Sequence, residues 1–292
     1  LCTVLTRPGD VVIVEEPTYF LAFQIFRDHG LEIRGVPIDN DGLVVEAMTA
    51  EVASIRAARK RVAFVYTIPA FQNPTGVTMS ALRRRELVAA ATADDVLIVA
   101  DEVYHLLRFT PGEMPPAMSA YVDDAPVLSI GTFSKILAPG MRLGWIHGST
   151  ERLTALANSG LILSGGGLNP VTSTLATAMM RMGWQQEYVE WLRATFARRA
   201  AVMIAALREH MPAWVEYDIP NGGYFVWLRL PPNVDGAALR TLAKAHGVDL
   251  RHGAQFSPTG EMGNHLRLSY AFYDDADIAE GVARLGLALR SS

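Results

Sequence analysis

Gly131-Thr132-Phe133-Ser134-Lys135-Ile136-Leu137-Ala138-Pro139-Gly140-Met141-Arg142-Leu143-Gly144-Trp145 sets one lysine among small hydroxyl residues, seven positions before an arginine. Apolar, strand-like runs lie on both sides of it. Burial is costly for an ammonium and pushes a lysine toward its neutral amine. A neutral amine attacks an aldehyde to make a Schiff base. The hydroxyls of Thr132 and Ser134, with the guanidinium of Arg142, are groups that hold a phosphate. An aldehyde with a phosphate arm describes pyridoxal phosphate. The same residues also fit a surface turn between two strands, so other segments must decide.

Three segments bear on the choice. In Val96-Leu97-Ile98-Val99-Ala100-Asp101-Glu102-Val103-Tyr104, an apolar run ends in an acid. It reads as a buried parallel strand with Asp101 at its C-terminal end, where open α/β sheets bind ligands. A carboxylate there can pair with a protonated pyridine nitrogen, and Tyr104 can donate to the ring's phenolic oxygen. A plain acidic cap on a strand–loop turn is the alternative. Phe71-Gln72-Asn73-Pro74-Thr75-Gly76 follows the strand Val62–Ile68 and is turn chemistry. Pro74 restricts Asn73 to extended geometry and so fixes the direction of its amide. Leu266-Arg267-Leu268-Ser269-Tyr270 puts an arginine inside an alternating apolar strand. A buried guanidinium requires an anion, which is either a substrate carboxylate in bidentate geometry or a structural Asp or Glu.

Taken together and in this order, Asn-Pro-Thr-Gly, Asp-Glu-Val-Tyr, Thr-Phe-Ser-Lys with its downstream arginine, and Arg-Leu-Ser-Tyr resemble the class I/II aminotransferases, pyridoxal-phosphate enzymes of fold type I. The resemblance covers essentially the whole chain. It implies that Lys135 forms the Schiff base with the cofactor and that Asp101 pairs with the ring nitrogen. Tyr104 and Asn73 would bond the ring oxygen. Thr132, Ser134 and Arg142 would hold the phosphate. Arg267, with Asn73, would bind the substrate carboxylate. Tyr19, in Glu16-Pro17-Thr18-Tyr19, matches the aromatic that stacks on the ring; a core tyrosine opening a helix fits equally. Phe71–Gly76 and Asn221-Gly222-Gly223-Tyr224-Phe225-Val226-Trp227 resemble the branch of 2-aminoadipate and broad-specificity aminotransferases. The expected activity is ping-pong exchange of an amino group between an L-amino acid and a 2-oxo acid, in a cytoplasmic homodimer. Two alternatives stand: the pyridoxal-phosphate-binding domain of a winged-helix transcription regulator, and a fold-type-I β-lyase or decarboxylase.

The resemblance further implies a glycine-rich phosphate turn, an N-terminal arm and a tyrosine given to the partner, all upstream of Leu1-Cys2-Thr3. On that ground the chain reads as a fragment. Ser164-Gly165-Gly166-Gly167-Leu168-Asn169-Pro170 would lie near the dimer interface, although a plain loop fits the same composition.

At 292 residues and 50% hydrophobic, the chain can bury a large core and exceeds the usual single-domain size. A net charge of −4 gives no sign of a nucleic-acid or membrane surface. No apolar run reaches the length of a membrane span. Cys2 is the sole cysteine, which excludes an internal disulfide, and the seven histidines show no metal-ligand spacing. No Gly-x-Ser-x-Gly elbow or P-loop occurs. Glu15-Glu16 and Asp94-Asp95 read as solvated caps at element ends.

Strands are expected at 11–15, 32–38, 62–68, 96–100, 127–130 and 142–147, alternating with helices at 18–29, 44–58 and 80–92. Apolar strands separated by helices predict an α/β fold: a mostly parallel sheet, seven-stranded by the resemblance, covered on both faces. Beyond Thr150 the period becomes helical. Val189, Leu192, Phe196, Met203 and Leu207 predict one long helix ending before Pro212. Strands at 225–230 and 266–270, with helices at 236–246 and 275–289, predict a small C-terminal α+β domain. The expected division is 1–185, a large cofactor-binding domain, and 186–292.

Overall fold

The computed structural model describes residues 1–165 and 169–290; residues 166–168 of the glycine-rich segment lie outside the described residues. Seven strands form the first sheet: β1 (Val11–Glu16), β2 (Glu32–Asp39), β3 (Gly42–Leu43), β4 (Val62–Thr67), β5 (Ile98–Asp101), β6 (Val127–Thr132) and β7 (Gly144–His147). Their order is β3-β2-β1-β4-β5-β6-β7. The five strands from β2 to β6 pair in parallel, and β3 and β7 close the edges antiparallel. The expected mostly parallel sheet is therefore present.

Strand alternation sorts β1 onto two cores. Val12 and Val14 pack with Phe23 and Phe26 of the helix Phe20–Asp28. Val11 and Ile13 face the other way, toward Met48 of the helix Val45–Ala57 and Leu87 of the helix Ala81–Ala93. All four β1 valine and isoleucine side chains are wholly buried. Ser80 caps the last of these helices by accepting from Arg83 N at 3.2 Å.

A second sheet contains β8 (Glu216–Tyr217), β9 (Phe225–Arg229), β10 (Arg251–His252) and β11 (His265–Ser269), antiparallel in the order β10-β11-β9-β8. Leu266, Leu268 and Tyr270 share a core with the long helix Trp184–His210 and the helix Asp275–Arg290. The stripe Val189, Leu192, Phe196, Met203 and Leu207 is buried, as its spacing requires. This core runs on without a break to Val12 and Val14 under the first sheet.

Three sequence expectations change. The helix expected at 18–29 starts at Phe20 rather than Thr18, because Thr18 N is committed to Phe256 O at 2.9 Å in the second sheet's loop. Arg142 does not open a strand. It follows the short turn Pro139–Met141 in left-handed geometry, φ +50°, and β7 begins at Gly144 opposite Thr132. Glu15 and Glu16 are not solvated: Glu15 is buried, and Glu16 accepts hydrogen bonds from the second sheet's loop.

Close approach of the two sheets requires glycine at one point. A Cβ on Gly222 would lie 2.3 Å from the Phe71 ring and 2.7 Å from Leu107 O.

Below the first sheet, Arg84 is fully buried. It donates to Met79 O, Pro116 O and Pro69 O at 3.1, 2.9 and 2.7 Å, and lies 3.7 Å from the Glu102 carboxylate. Replacing Arg84 with leucine takes the cation from beside buried Glu102 and leaves three interior carbonyls without their donor. The expected result is a lower urea midpoint by circular dichroism, equivalent to about 3–5 kcal/mol.

Candidate active site

β4, β5 and β6 run in parallel, so their C-terminal ends come out on one side of the sheet. Asp101 ends β5 and Thr132 ends β6, while the turn carrying Asn73 follows β4. Lys135 lies three residues past Thr132, in the turn before β7. β11 brings Arg267 to this side from the second sheet, where its Nη1 donates to Asn73 Oδ1 at 2.7 Å.

Asp101 is the electrostatic centre. Its Oδ2 accepts from the Tyr66 hydroxyl at 2.6 Å. Its Oδ1 is shut off from solvent and has no hydrogen-bond partner among the described residues. Burial pushes the carboxyl up to about 6, while the Tyr66 bond and the charge of Lys135 pull the other way. The nearby Val103 amide favours the charged form without completing a bond to Oδ1.

Lys135 is half-buried, with Nζ 5.5 Å from the centre of the Tyr224 ring and no hydrogen-bonded partner among the described residues. The Tyr224 hydroxyl donates to the Lys135 carbonyl at 3.2 Å and so fixes the backbone there. Burial lowers the ammonium below the usual lysine range. The charge of Asp101 opposes this, and those of Arg267 and Arg142 add to it. The side chain is thus biased toward the amine its sequence setting suggested.

Arg267 has no acid partner among the described residues. Its guanidinium carbon lies 4.1 Å from the Phe225 ring centre and 4.9 Å from that of Phe256, and its Nε is buried and unpaired. Burial pushes the group down to about 10, still charged at neutral pH. An unpaired buried cation of this kind calls for an anion supplied from outside. The structural ion pair that the sequence left open is absent among the described residues.

The remaining expected residues distribute unevenly. Tyr19 immediately precedes the helix Phe20–Asp28 without a side-chain capping bond, and its hydroxyl feels the charges of Asp101 and Arg267. Burial, then the charge of Asp101, raises the Tyr104 hydroxyl, and its ring lies 5.2 Å from that of Tyr224. Thr132 Oγ1 accepts from Ser134 N at 3.1 Å and donates to Leu143 O at 3.3 Å. Arg142 is exposed, with Nη1 donating to Pro139 O at 3.2 Å. Lys135, Asp101, Tyr104, Tyr19, Asn73 and Arg267 thus form one electrostatically linked group, with Thr132 and Ser134 beside it. Arg142 reaches it only through its charge.

Sequence reasoning missed Tyr66 and Gln72. Tyr66 reads as an apolar strand residue, but a buried tyrosine hydroxyl needs a partner, and Asp101 on the neighbouring strand is the available acceptor. Gln72 is buried and holds the Asn73 turn, accepting from Thr75 N at 3.0 Å and donating to Pro17 O at 2.7 Å.

Residues 1–285 match the family described as aminotransferase class I and II. An aromatic-amino-acid aminotransferase of Thermococcus litoralis is 34% identical over 98% of this chain and 68% of its own length. An uncharacterised helix-turn-helix-type transcriptional regulator of Bacillus subtilis is 32% identical over 98% of this chain, which spans 58% of that relative. The crystal structure of an alpha-aminoadipate aminotransferase from Thermus thermophilus, complexed with N-(5'-phosphopyridoxyl)-L-leucine, superposes with a TM-score of 0.89 at 32% identity. It covers 99% of this chain and 73% of that one.

Asp101 also leaves a mark on folding. Its carboxyl sits at about 6 in the folded chain against an ordinary 3.8. Across that range the folded chain keeps a proton that the unfolded chain has lost, so stability falls as pH rises through it. Asp101→Asn is expected to flatten this part of the stability–pH profile of the cofactor-free chain, followed by urea unfolding at stepped pH. A profile unchanged by the substitution would rule out a buried, raised Asp101.

Proposed function

The chain belongs to the class I and II aminotransferases, pyridoxal-phosphate-dependent transferases, and on that premise we propose that it moves an amino group between an L-amino acid and a 2-oxo acid at the cluster of Lys135, Asp101 and Arg267. The observation that carries this reading is a complementary set of unmet needs on one side of the sheet. Among the described residues Asp101 Oδ1 lacks a donor and Arg267 lacks an anion, and both charges act on a lysine biased toward its amine.

These residues fit the cofactor. A protonated ring nitrogen is the donor that Asp101 Oδ1 lacks, and Lys135 is the amine an aldehyde requires. When bound, pyridoxal phosphate supplies that aldehyde and a ring that takes up the electron pair left when a substrate α-carbon loses its proton. Lys135 would hold it covalently and Asp101 would hold its ring nitrogen. Tyr104 and Asn73 would hold its ring oxygen, Tyr19 its ring face, and Thr132, Ser134 and Arg142 its phosphate. Arg267 orients the substrate carboxylate with its planar fork, Asn73 fixing one arm through Nη1. Lys135 Nζ, displaced as a free amine, takes the α-proton and returns it, a step whose efficiency rises as its pKa falls toward working pH. The amino group stays in the site between two half-reactions, which gives ping-pong kinetics.

The same proposal assigns the site to a part over 1–185 and gives 186–292 the role of bringing Arg267 to it. It also makes the protein a cytoplasmic homodimer. Leu161, Leu163, Val171, Leu175, Met182 and Trp184 are large apolar side chains exposed over 161–184, the kind of surface that a partner covers. Cys2 is buried and unpaired, in keeping with a reducing setting. Sedimentation velocity is expected to give a mass near twice 31.8 kDa. A monomer at every concentration tested would remove the dimer from the proposal.

The likeness to a helix-turn-helix-type regulator favours a second reading, a cofactor-binding module that senses rather than turns over. The two part on one experiment. With pyridoxal phosphate, an L-amino acid panel and a 2-oxo acid, the protein is expected to transaminate, and Lys135→Ala to lower the rate by about 10³-fold or more. Borohydride reduction and peptide mapping should put the cofactor label on Lys135. A label on Lys135 without turnover would favour the sensor, and full turnover by Lys135→Ala would remove both readings.

A further inference from the structure

Glu15 and Glu16 end β1, and alternation sends consecutive strand side chains to opposite faces. Glu15 is 1% exposed. Its carboxylate accepts from the Thr67 hydroxyl, from Ile68 N at 3.1 Å and from Gln72 Nε2 at 3.1 Å. Gln72 then passes this anchorage to the turn: its Oε1 accepts from Thr75 N at 3.0 Å and from Thr75 Oγ1 at 2.8 Å. Asn73 lies inside the segment so fixed.

Glu16 serves the other side. It accepts from the Ser257 hydroxyl and from Thr259 Oγ1 at 2.9 Å. Ser257 Oγ in turn accepts from Thr259 N at 3.2 Å and Glu261 N at 3.0 Å, which shapes that loop. Phe256, the residue before Ser257, lays its ring against Arg267 and meets Phe20 edge-on at 5.2 Å. Asn73 and Phe256 are two of the groups that locate the Arg267 guanidinium, and each hangs from one of two adjacent carboxylates.

We propose that Glu15 and Glu16 are positioning residues for the carboxylate-binding arginine, Glu15 through the turn that carries Asn73 and Glu16 through the loop that carries Phe256; this rests on the assignment of Arg267 to the substrate carboxylate. An arginine with no acid to fix it takes its place from what surrounds it. Here that surrounding is one hydrogen bond and two ring faces. β1 is a rigid base for both supports, since its four apolar residues are wholly buried. Neither carboxylate hydrogen-bonds Lys135 or Asp101. The Glu16 support ends at Phe256, which lies against Arg267, so loosening it acts on substrate binding; the Glu15 support carries Asn73, which is also assigned to the ring oxygen, so loosening it acts on both. Glu15 does feel the charge of Asp101, and for that reason its arm is best cut at Gln72.

The test uses the pyridoxal-phosphate-loaded protein. Glu16→Ala cuts one support and Gln72→Leu the other. Four quantities are read: KM and kcat for the best amino acid of a panel, the calorimetric Kd of the matching 2-oxo acid, and the Kd of the cofactor. The 2-oxo acid binds this form without reacting, since no amino group is present. Each variant is expected to raise KM and the 2-oxo acid Kd about tenfold; in Glu16→Ala, whose support reaches no cofactor-holding residue, kcat at saturation and the cofactor Kd stay within about twofold of the parent. Glu16→Gln, which keeps an acceptor for both hydroxyls, should restore most of the loss. In Glu16→Ala, a fall in cofactor affinity and kcat in step with KM marks a merely structural role and overturns the proposal, as do unchanged KM and 2-oxo acid Kd in either variant. If Gln72→Leu does not fold, Glu16→Ala decides alone. Arg267→Lys separates the two levels. If it leaves the 2-oxo acid Kd unchanged, the carboxylate assignment fails. If it weakens binding while the support variants do not, only the positioning role fails.

Discussion

The hydrogen bond from Arg267 Nη1 to Asn73 Oδ1 crosses from one sheet to the other, and most of the site's geometry is arranged to make it possible. One end belongs to an antiparallel strand backed by the long helix, the other to a turn that leaves a parallel strand. For the two to meet at 2.7 Å, the turn must be fixed in place and the second sheet must lie close. Gln72 and Glu15 provide the first condition, and Gly222 beneath Phe71 provides the second. The guanidinium then stays charged while partly dehydrated, held over aromatic faces without a neutralising acid. Such a cation is unfavourable in the empty site, and binding a carboxylate relieves it.

Asp101 is the counterpart of opposite sign. Burial raises its carboxyl, and Tyr66 and Lys135 hold it back from rising further. Lys135 is moved the other way by the same low-dielectric surroundings. A carboxyl whose pKa is raised and a lysine whose pKa is lowered thus share one site, which narrows the difference between their proton affinities. Titratable pairs driven toward one another in this way mark sites of proton transfer.

Much of this was legible in the residues because the signals were periodic or ordered. Val62–Thr67 and Ile98–Asp101 are apolar runs that only a doubly covered sheet accommodates, and the stripe from Val189 to Leu207 has only one helical face. The four chemical segments kept their order, and in the fold Asp101 ends β5, Asn73 and Lys135 stand in turns, and Arg267 lies within β11. What escaped were properties of depth and of partners. Glu15-Glu16 has the composition of a solvated cap, and nothing local says that a loop 241 residues away supplies the donors to Glu16. Tyr66 looks like one more apolar strand residue until its neighbour across the ladder is known. Arg142 follows a proline and glycine that could begin a strand or end a turn; only the pairing of Thr132 with Gly144 decides.

Gly222 shows how narrow the tolerance is where two sheets meet. The space above its Cα is filled by the Phe71 ring and the Leu107 carbonyl, so the spacing of the two halves is set by an atom that is missing. The position therefore has an alphabet of one letter. Even a methyl group there would act as a wedge, entering neither half's interior yet spreading both, and the damage would be felt where their polar groups must touch.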